Sequence, residues 1–390
     1  MTVVLERIEK AADRLARFSD ESDQLGRLSD ETAQLLRDVG VIRLLQPAEF
    51  GGYEAHPNEF FEAVMQIGTH SGSAGWVAGV VGVHPWQLGQ IDKRAQAEIW
   101  GTDPDTWVAS PYAPFGRARP TAGGYTFSGQ WPFSTGNDHA EWVILGGMLT
   151  DADGAVTSPP QVRHFILPKG DYETVADSWE VMGLKGSGSK DVIVRDAFVP
   201  DYRVVDVADF SDGTAARAIG RDNPSYALPF GIIFPGAILA STLGIAEGAL
   251  AAFVDYTRDR VSIFGERVAS DPFQLVSFSA AAADIQASRA HFLSDIDQMY
   301  QVVAAGGSLS LEQRISARRN QVAAAARAVH AVDSLFAHAG GGSIRLNNPL
   351  QRFWRDLHAA MNHLCNVAEP VHLTYGSSTF GLPLPPGVVF

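Results

Sequence analysis

The sequence predicts a mostly α-helical protein with a central β domain, and three observations predict it. Apolar residues recur at three- and four-residue spacing through the first hundred residues. Short β-rich runs follow from about 105 to 205, and long Ala-rich helical stretches fill the remainder. The expected segments are an N-terminal helical domain over 1–104, a middle β domain over 105–205, a linker or mobile loop over 206–234, and a C-terminal four-helix bundle with its tail over 235–390.

In the first segment Leu5, Ile8, Ala12 and Leu15 share one helix face, as do Leu35, Leu36, Val39 and Ile42. Ser29 ahead of Glu31 and Thr32 marks a helix start, Gly40 a stop, and Pro57 the opening of a helix over 58–66. Charges at Glu6, Arg7, Glu9, Lys10, Asp13, Arg14 and Arg17 break any signal-peptide core. In the second segment 125–128, 142–145, 162–167 and 191–194 read as strands, with hairpin tips at Gly123-Gly124 and 151–154. The linker is rich in Ser, Asp, Gly, Asn and Pro. Helices over 237–260, 273–304, 311–339 and 350–367 follow, punctuated by Gly306-Gly307 and Gly340-Gly341-Gly342. Residues 223–246 carry no charge, but Pro224, Pro229 and Pro235 interrupt them and Glu247 follows. A buried bundle helix is therefore expected there, not a membrane span.

Composition narrows the function classes. With 390 residues, 46% of them hydrophobic, the chain can bury a large core in two or three packed units. A net charge of −14 repels a phosphate backbone, so nucleic-acid binding is not expected. Cys365 is the single cysteine, which excludes an internal disulfide and makes a reduced cytoplasm the expected setting. The 11 histidines form no HExxH, and His358 and His363, five apart, do not share a helix face, so no metal is expected. No GxSxG elbow, phosphate loop or GxGxxG fingerprint is present, and each glycine cluster reads first as a turn.

Two polar residues sit in apolar company: His84 within 78–86 and Ser110 within 107–112. A buried imidazole must find a partner, and its pKa moves with burial; it is either a core histidine bonded to a carbonyl or an acid–base group. The run Trp131-Pro-Phe133-Ser134-Thr135-Gly136 is either core plus a turn, or a wall and hydroxyl donors for a flat ring. Arg260, ahead of Ile263-Phe264-Gly265, is either a solvated charge or a phosphate ligand.

Helices, a β unit and a four-helix bundle, in that order, resemble the acyl-CoA dehydrogenase fold. Leu45-Gln-Pro-Ala-Glu-Phe-Gly-Gly52, Met182-Gly-Leu-Lys-Gly-Ser187, Ala197-Phe-Val-Pro200 and Arg355-Asp356 are similar to that family's segments across nearly the whole chain. The closer resemblance is to a branch of the fold, the oxygenase components of two-component flavin-dependent monooxygenases. It is carried by Ser71-Gly-Ser-Ala-Gly-Trp-Val77, Gly82-Val-His-Pro-Trp86, Ser110-Pro-Tyr-Ala-Pro114, Gly136-Asn-Asp-His-Ala140 and Gln351-Arg-Phe-Trp-Arg-Asp356. Within that branch the chain looks most like the bacterial seco-steroid phenol 4-hydroxylases, and more distantly like the p-hydroxyphenylacetate 3-hydroxylase oxygenases. Where many dehydrogenases place a catalytic Glu after the Arg-Asp pair, this chain has Leu364, which accepts no proton. Where the hydroxylases carry a C-terminal His, it has Ser378, which widens the expected substrate to polycyclic or polyketide-derived aromatics and to heteroatom substrates.

The resemblance implies a flavin-dependent monooxygenase of the aromatic hydroxylase type. Reduced FMN or FAD diffuses in from an NADH-dependent flavin reductase, and O2 is the co-substrate. A C4a-hydroperoxyflavin then hydroxylates a small phenolic or polycyclic aromatic. Such a site must be closed and apolar. Trp86, Trp131 and Phe133 are its expected walls, with Trp86, Tyr112 and Ser378 at the substrate. The same resemblance implies that His84 and Ser110 surround the phenol oxygen. It places the Thr135 hydroxyl, with Ser134 in reserve, near flavin N5, and Arg260 at a flavin phosphate, on a neighbouring subunit of a homotetramer. The competing readings are an acyl-CoA dehydrogenase and a non-catalytic flavin- or aromatic-binding homologue.

Overall fold

Ser29 accepts the Thr32 N–H at 3.2 Å and Gly40 closes the same helix at φ 85°, so this element begins and ends where its capping residues dictate. The structure, a computed structural model, describes residues 2–385; the last five residues of the expected C-terminal segment lie outside it. The N-terminal part is five helices: α1 (Val3–Leu25), α2 (Asp30–Val39), α3 (Pro57–His70), α4 (Gly72–Leu88) and α5 (Lys93–Trp100). All 17 residues of α4 are buried. Its glycines make that possible: a Cβ on Gly75 would lie 2.5 Å from the Gly68 Cα of α3, and one on Gly82 would lie 2.6 Å from the Phe60 ring. A helix apolar on every side, admitted to the centre by bare backbone, carries no amphipathic period.

The middle part is an eight-stranded sheet: β1 (Val108–Ala109), β2 (Gly116–Thr121), β3 (Gly124–Ser134), β4 (Trp142–Leu149), β5 (Val162–Pro168), β6 (Glu173–Val175), β7 (Lys190–Pro200) and β8 (Val204–Val205). The strand path is β6-β7-β3-β2-β4-β5-β8, with β1 beside β4. β2 and β1 run parallel to β4, and the other pairs are antiparallel. The path ends at β6 and β8, strands of three and two residues that leave little edge to pair further. Phe127 stacks on Phe165 at 4.1 Å and packs against Trp131 at 5.2 Å, which fills the interior of this sheet with aromatic rings.

Residues 206–229 are not a free linker. They hold a short helix α6 (Thr214–Ala218), and the Arg221 side chain, 7% exposed, is fixed by Glu49, by Gln96 at 2.6 Å and by Glu54 at 3.7 Å. Trp86 Nε1 donates to the Ser225 carbonyl at 2.8 Å, and Phe210 and Tyr226 are buried beneath the segment. Buried rings and a buried guanidinium outweigh the turn-forming composition.

The C-terminal part is α7 (Phe230–Arg258), α8 (Pro272–Ala304), α9 (Leu311–His338), α10 (Pro349–Met361) and α11 (Glu369–Thr379). The first of these starts at Phe230, capped by Pro229, and carries Pro235 inside. α10 stops at Met361 instead of running to 367, and α11 was not expected, because Gly376 and its Ser and Thr residues dilute its helical pattern. α7 is long and apolar enough to cross a membrane; 72% of its apolar window is buried, among α3, α4, α9 and α10.

Candidate functional site

His84 stands on the last turns of α4 and is fully buried. Its Nδ1–H donates to the Val108 carbonyl of β1 at 2.5 Å, and its Nε2 accepts the Ser110 hydroxyl at 2.8 Å. A neutral imidazole that gives its one proton to a carbonyl keeps the other nitrogen as acceptor. Burial pulls the ring's pKa down to about 4, so it is neutral at physiological pH, with its basic lone pair turned toward Ser110.

Around this pair runs a continuous set of rings. Tyr112, on the loop after β1, sits edge-on to His84 at 5.6 Å, to Phe230 at 5.5 Å and to Phe234 at 5.0 Å. Phe230 and Phe234, on the first turns of α7, stack at 5.4 Å. Phe234 then approaches His363 at 6.0 Å, and His363 meets Trp76 edge-on at 5.7 Å. The Tyr112 hydroxyl donates to Gln87 Oε1 at 2.9 Å. The result is one polar corner in an aromatic shell, which suits a flat ring bearing an oxygen.

His363 entered the sequence reading only as half of a dismissed metal pair with His358, not as a site residue. It lies just past α10, one residue before Leu364, where counting from the Arg-Asp pair had found no proton acceptor. Its Nδ1 accepts the Cys365 N–H at 3.2 Å, which leaves Nε2 as the proton-bearing nitrogen, and burial lowers its pKa to about 4. The turn is pinned by Arg318, which donates to the Cys365 carbonyl at 2.9 Å, and by Asn366, which donates to the Ala360 carbonyl at 3.0 Å. Gln87, one helical turn after His84, and His164, on β5, were also missed. The first could have been found from its i+3 spacing; the second reaches the site only through tertiary packing.

Several expected residues fall elsewhere. Trp131 is buried inside the sheet, its Nε1–H shared between the carbonyls of Ala113 and Gly146 at 3.0 and 2.8 Å, so it braces the Ser110–Ala113 loop from behind and walls no pocket. Trp86 is two residues from His84, which on a helix is nearly the opposite side; it packs behind Phe230 at 6.4 Å. Ser378 lies on α11, which packs along α9, and among the described residues its hydroxyl bonds to none of the polar-corner groups. No cluster of three or more metal-ligating side chains occurs among the described residues.

The end of β3 divides the two hydroxyl candidates. Thr135 Oγ1 is bonded to Ser189 Oγ at 2.8 Å, which is bonded in turn to Ser187 Oγ at 2.8 Å. Ser134 Oγ, equally buried, has no partner. A buried hydroxyl without a partner is costly unless a ligand completes it. Phe133 beside it is held open at φ 70°, 65% exposed and edge-on to Trp179 at 6.2 Å. Arg260 donates to the Ala339 carbonyl and lies against Gly340, where a Cβ would come within 2.6 Å of its guanidinium. The unpartnered Ser134 hydroxyl beside the exposed Phe133 ring fits a flat heterocycle bearing an N–H.

Asp356 binds α10 to the connection between β6 and β7: its Oδ1 accepts the Leu184 N–H at 2.6 Å, and burial pushes its pKa up to about 7. A carboxyl whose pKa is raised on folding contributes stability that is complete below about pH 4 and is lost as the pH rises through about 7. Asn in its place keeps the acceptor and cannot ionise. We expect the melting-temperature difference between Asp356→Asn and the parent to move in the variant's favour between about pH 5 and pH 8.5, measured by calorimetry. A flat difference would show that the carboxyl ionises without cost.

Comparison with known proteins agrees with this geometry. Residues 237–367 match the family model described as acyl-CoA dehydrogenase, C-terminal domain. The chain is 48% identical over 378 residues to a pigment production hydroxylase of Rhodococcus erythropolis, covering 97% of this chain and 96% of that one. It is 40% identical over 351 residues to the flavin-dependent monooxygenase oxygenase subunit HsaA of Rhodococcus jostii, covering 90% and 91%. The crystal structure of 3-HSA hydroxylase from Rhodococcus sp. RHA1 superposes with a TM-score of 0.93 at 37% identity, over 100% of this chain and 99% of that one. The sheet between two helical parts, the neutral His84 against Ser110 and these full-length matches place the chain in the oxygenase components of two-component flavin-dependent monooxygenases.

Proposed function

We propose that this protein hydroxylates a small phenolic or polycyclic aromatic substrate, using O2 and reduced FMN or FAD delivered by a separate NADH-dependent flavin reductase. The observation that carries the reading is the neutral, tautomerically fixed His84 facing the Ser110 hydroxyl inside an aromatic shell. Reduced flavin, when bound, activates dioxygen and supplies the oxygen atom. The chain's own residues do the rest.

Ser110 donates to His84, so its oxygen lone pairs are free to accept a phenol O–H. Drawing that proton toward Ser110 and His84 raises electron density on the substrate ring, where an electrophilic oxygen attacks. Tyr112, Phe230 and Phe234 hold the ring flat and exclude water. His363, whose ring joins the same shell through Phe234 and whose proton is on Nε2, supplies the imidazole donor that Ser378 does not. Ser134 is the group we assign to the flavin N5 proton, in place of Thr135, and Arg260 with the Gly340 loop to a phosphate. Val261, Ile263, Phe264, Phe273 and Val276 near Arg260 are all more than half exposed and support a homotetramer in which this region meets a neighbouring subunit. The free Cys365 supports a cytoplasmic setting.

The reading is tested by supplying NADH, a flavin reductase and a panel of phenols and looking for ring-hydroxylated product. A product that appears only when this chain is present supports it; flavin oxidation yielding hydrogen peroxide alone, across the panel, contradicts it. The hydroxyl assignment has its own test. Ser134→Ala is expected to raise peroxide release per flavin oxidised by about tenfold, the value of one lost hydrogen bond at a dry site, with the melting temperature unchanged. Thr135→Ala is expected to lower the melting temperature instead, because it takes from the buried Ser189 hydroxyl one of its two partners and leaves only Ser187. The reverse pattern would return the role to Thr135.

A further inference from the structure

Tyr112 is held by two residues that the mechanism above does not use. Gln87 accepts the Tyr112 hydroxyl at 2.9 Å, and its amide nitrogen is 2.9 Å from His164 Nδ1. His164 also stacks on the Tyr112 ring at 4.5 Å, with 19° between planes. The three groups form a closed triangle: ring on ring, hydroxyl to amide, amide to ring nitrogen. Each comes from a different element: Tyr112 from the loop after β1, Gln87 from α4, His164 from β5.

The hydrogen-bond directions are fixed by elimination. The Gln87 oxygen takes the phenol proton, so its nitrogen donates, and His164 Nδ1 must accept. The His164 proton is then on Nε2. Gln87 and His164 are both buried, 1% and 3% exposed, so neither bond has water as a substitute. Rotation of Tyr112 about either side-chain torsion would break the hydroxyl bond and the ring stack together. Phe230 and Phe234 also meet the ring at near right angles, at 5.5 and 5.0 Å.

A substrate whose oxygen sits at Ser110 brings its ring beside Tyr112, because Tyr112 follows Ser110 by two residues on the same loop and its ring stands at right angles to that of His84, the partner of Ser110, at 5.6 Å. The tilt of Tyr112 therefore fixes the tilt of the substrate ring, and with it the carbon presented for oxygenation. We propose that Gln87 and His164 are positioning residues that lock Tyr112 and thereby set which ring carbon is hydroxylated. This rests on the reading of the protein as an aromatic hydroxylase.

The test uses the full chain with 1-naphthol, whose ortho and para hydroxylation products are separable. Three variants are compared with the parent: His164→Leu, which removes the acceptor; Gln87→Met, which removes both ends of the link; and His164→Asn, whose amide oxygen stands where Nδ1 stood. Two readouts are taken: the dissociation constant of 1-naphthol for the flavin-free protein by calorimetry, and the ortho-to-para ratio in turnover. His164→Leu and Gln87→Met are expected to weaken 1-naphthol by about tenfold and to shift the ratio by about fivefold or more, the scale of one or two lost buried hydrogen bonds. His164→Asn is expected to stay within about twofold of the parent in both. A parent-like ratio and affinity in His164→Leu or Gln87→Met overturns the proposal. So does a His164→Asn that behaves like His164→Leu, since the histidine would then be acting only as packing. If His164→Leu does not fold, Gln87→Met with His164→Asn decides it. Failure of the functional reading shows differently: the parent itself yields no hydroxylated naphthol, and the proposal falls with it.

Discussion

Replacing His84 with alanine is expected to cut the rate of product formation by about 10²–10³-fold while flavin oxidation continues, so that hydrogen peroxide replaces product. The size follows from the loss of a positioned acceptor, the direction from geometry. His84 Nε2 is what orients the Ser110 hydroxyl; without it that hydroxyl turns to donate, and the substrate oxygen loses its proton acceptor. Ser110→Ala is expected to behave alike, and the double variant to be little worse than either, because the two act as one unit. The parent's rate is expected to show no histidine inflection between about pH 5 and pH 8, since burial holds His84 neutral, near a pKa of about 4. Oxygen consumption, peroxide and product, measured together, check all of this. Equal loss of flavin oxidation and product formation in His84→Ala would remove His84 from the proton chemistry.

Gly146→Ala is expected to be nearly as damaging, although the residue bears no functional group. It lies on β4, and a Cβ there would fall 2.0 Å from the Tyr112 carbonyl oxygen and 2.7 Å from that of Ala113, both backbone atoms. Its N–H donates to the Pro111 carbonyl at 3.2 Å, and its carbonyl accepts Trp131 Nε1. One methyl group must therefore push the whole 110–113 loop off the sheet. Overpacking of this kind costs about 1–3 kcal/mol or more, and a shift of about 1 Å in a catalytic group costs on the order of 10²-fold in rate. A lowered melting temperature, together with loss of hydroxylation, is the expected result. Gly170→Ala, whose Cβ would meet nothing within 4 Å, is the matched control and is expected to leave both unchanged. Full activity in Gly146→Ala would mean that the loop's position does not matter to the reaction.

Most of the fold was legible because its elements obey local rules. Ser29, Gly40 and Pro57 mark helix ends as capping chemistry requires, and Gly123 turns the β2–β3 hairpin at φ 78°. What escaped did so for physical reasons. α4 is apolar all round, so no periodic signal separates its faces, and Trp86 was placed with His84 although α4 turns it away. Residues 206–229 look like a loop in composition, yet Arg221, Phe210 and Tyr226 bury themselves against distant segments. Of the site, His84, Ser110 and Tyr112 are brought together; Gln87, His164 and His363 join them only through contacts spanning 25 to 77 residues or across ring faces. Ser134 and Thr135 are neighbours that sequence cannot rank, and one partner, Ser189, separates them.

The most direct measurement is rapid mixing of the anaerobic protein and reduced FMN or FAD with isotopically labelled dioxygen, followed by addition of a phenol. The account predicts an absorbance transient that outlasts free-flavin reoxidation, and a hydroxylated product carrying one labelled oxygen atom. Flavin that reoxidises as it does without protein, with no label in any product, would contradict it.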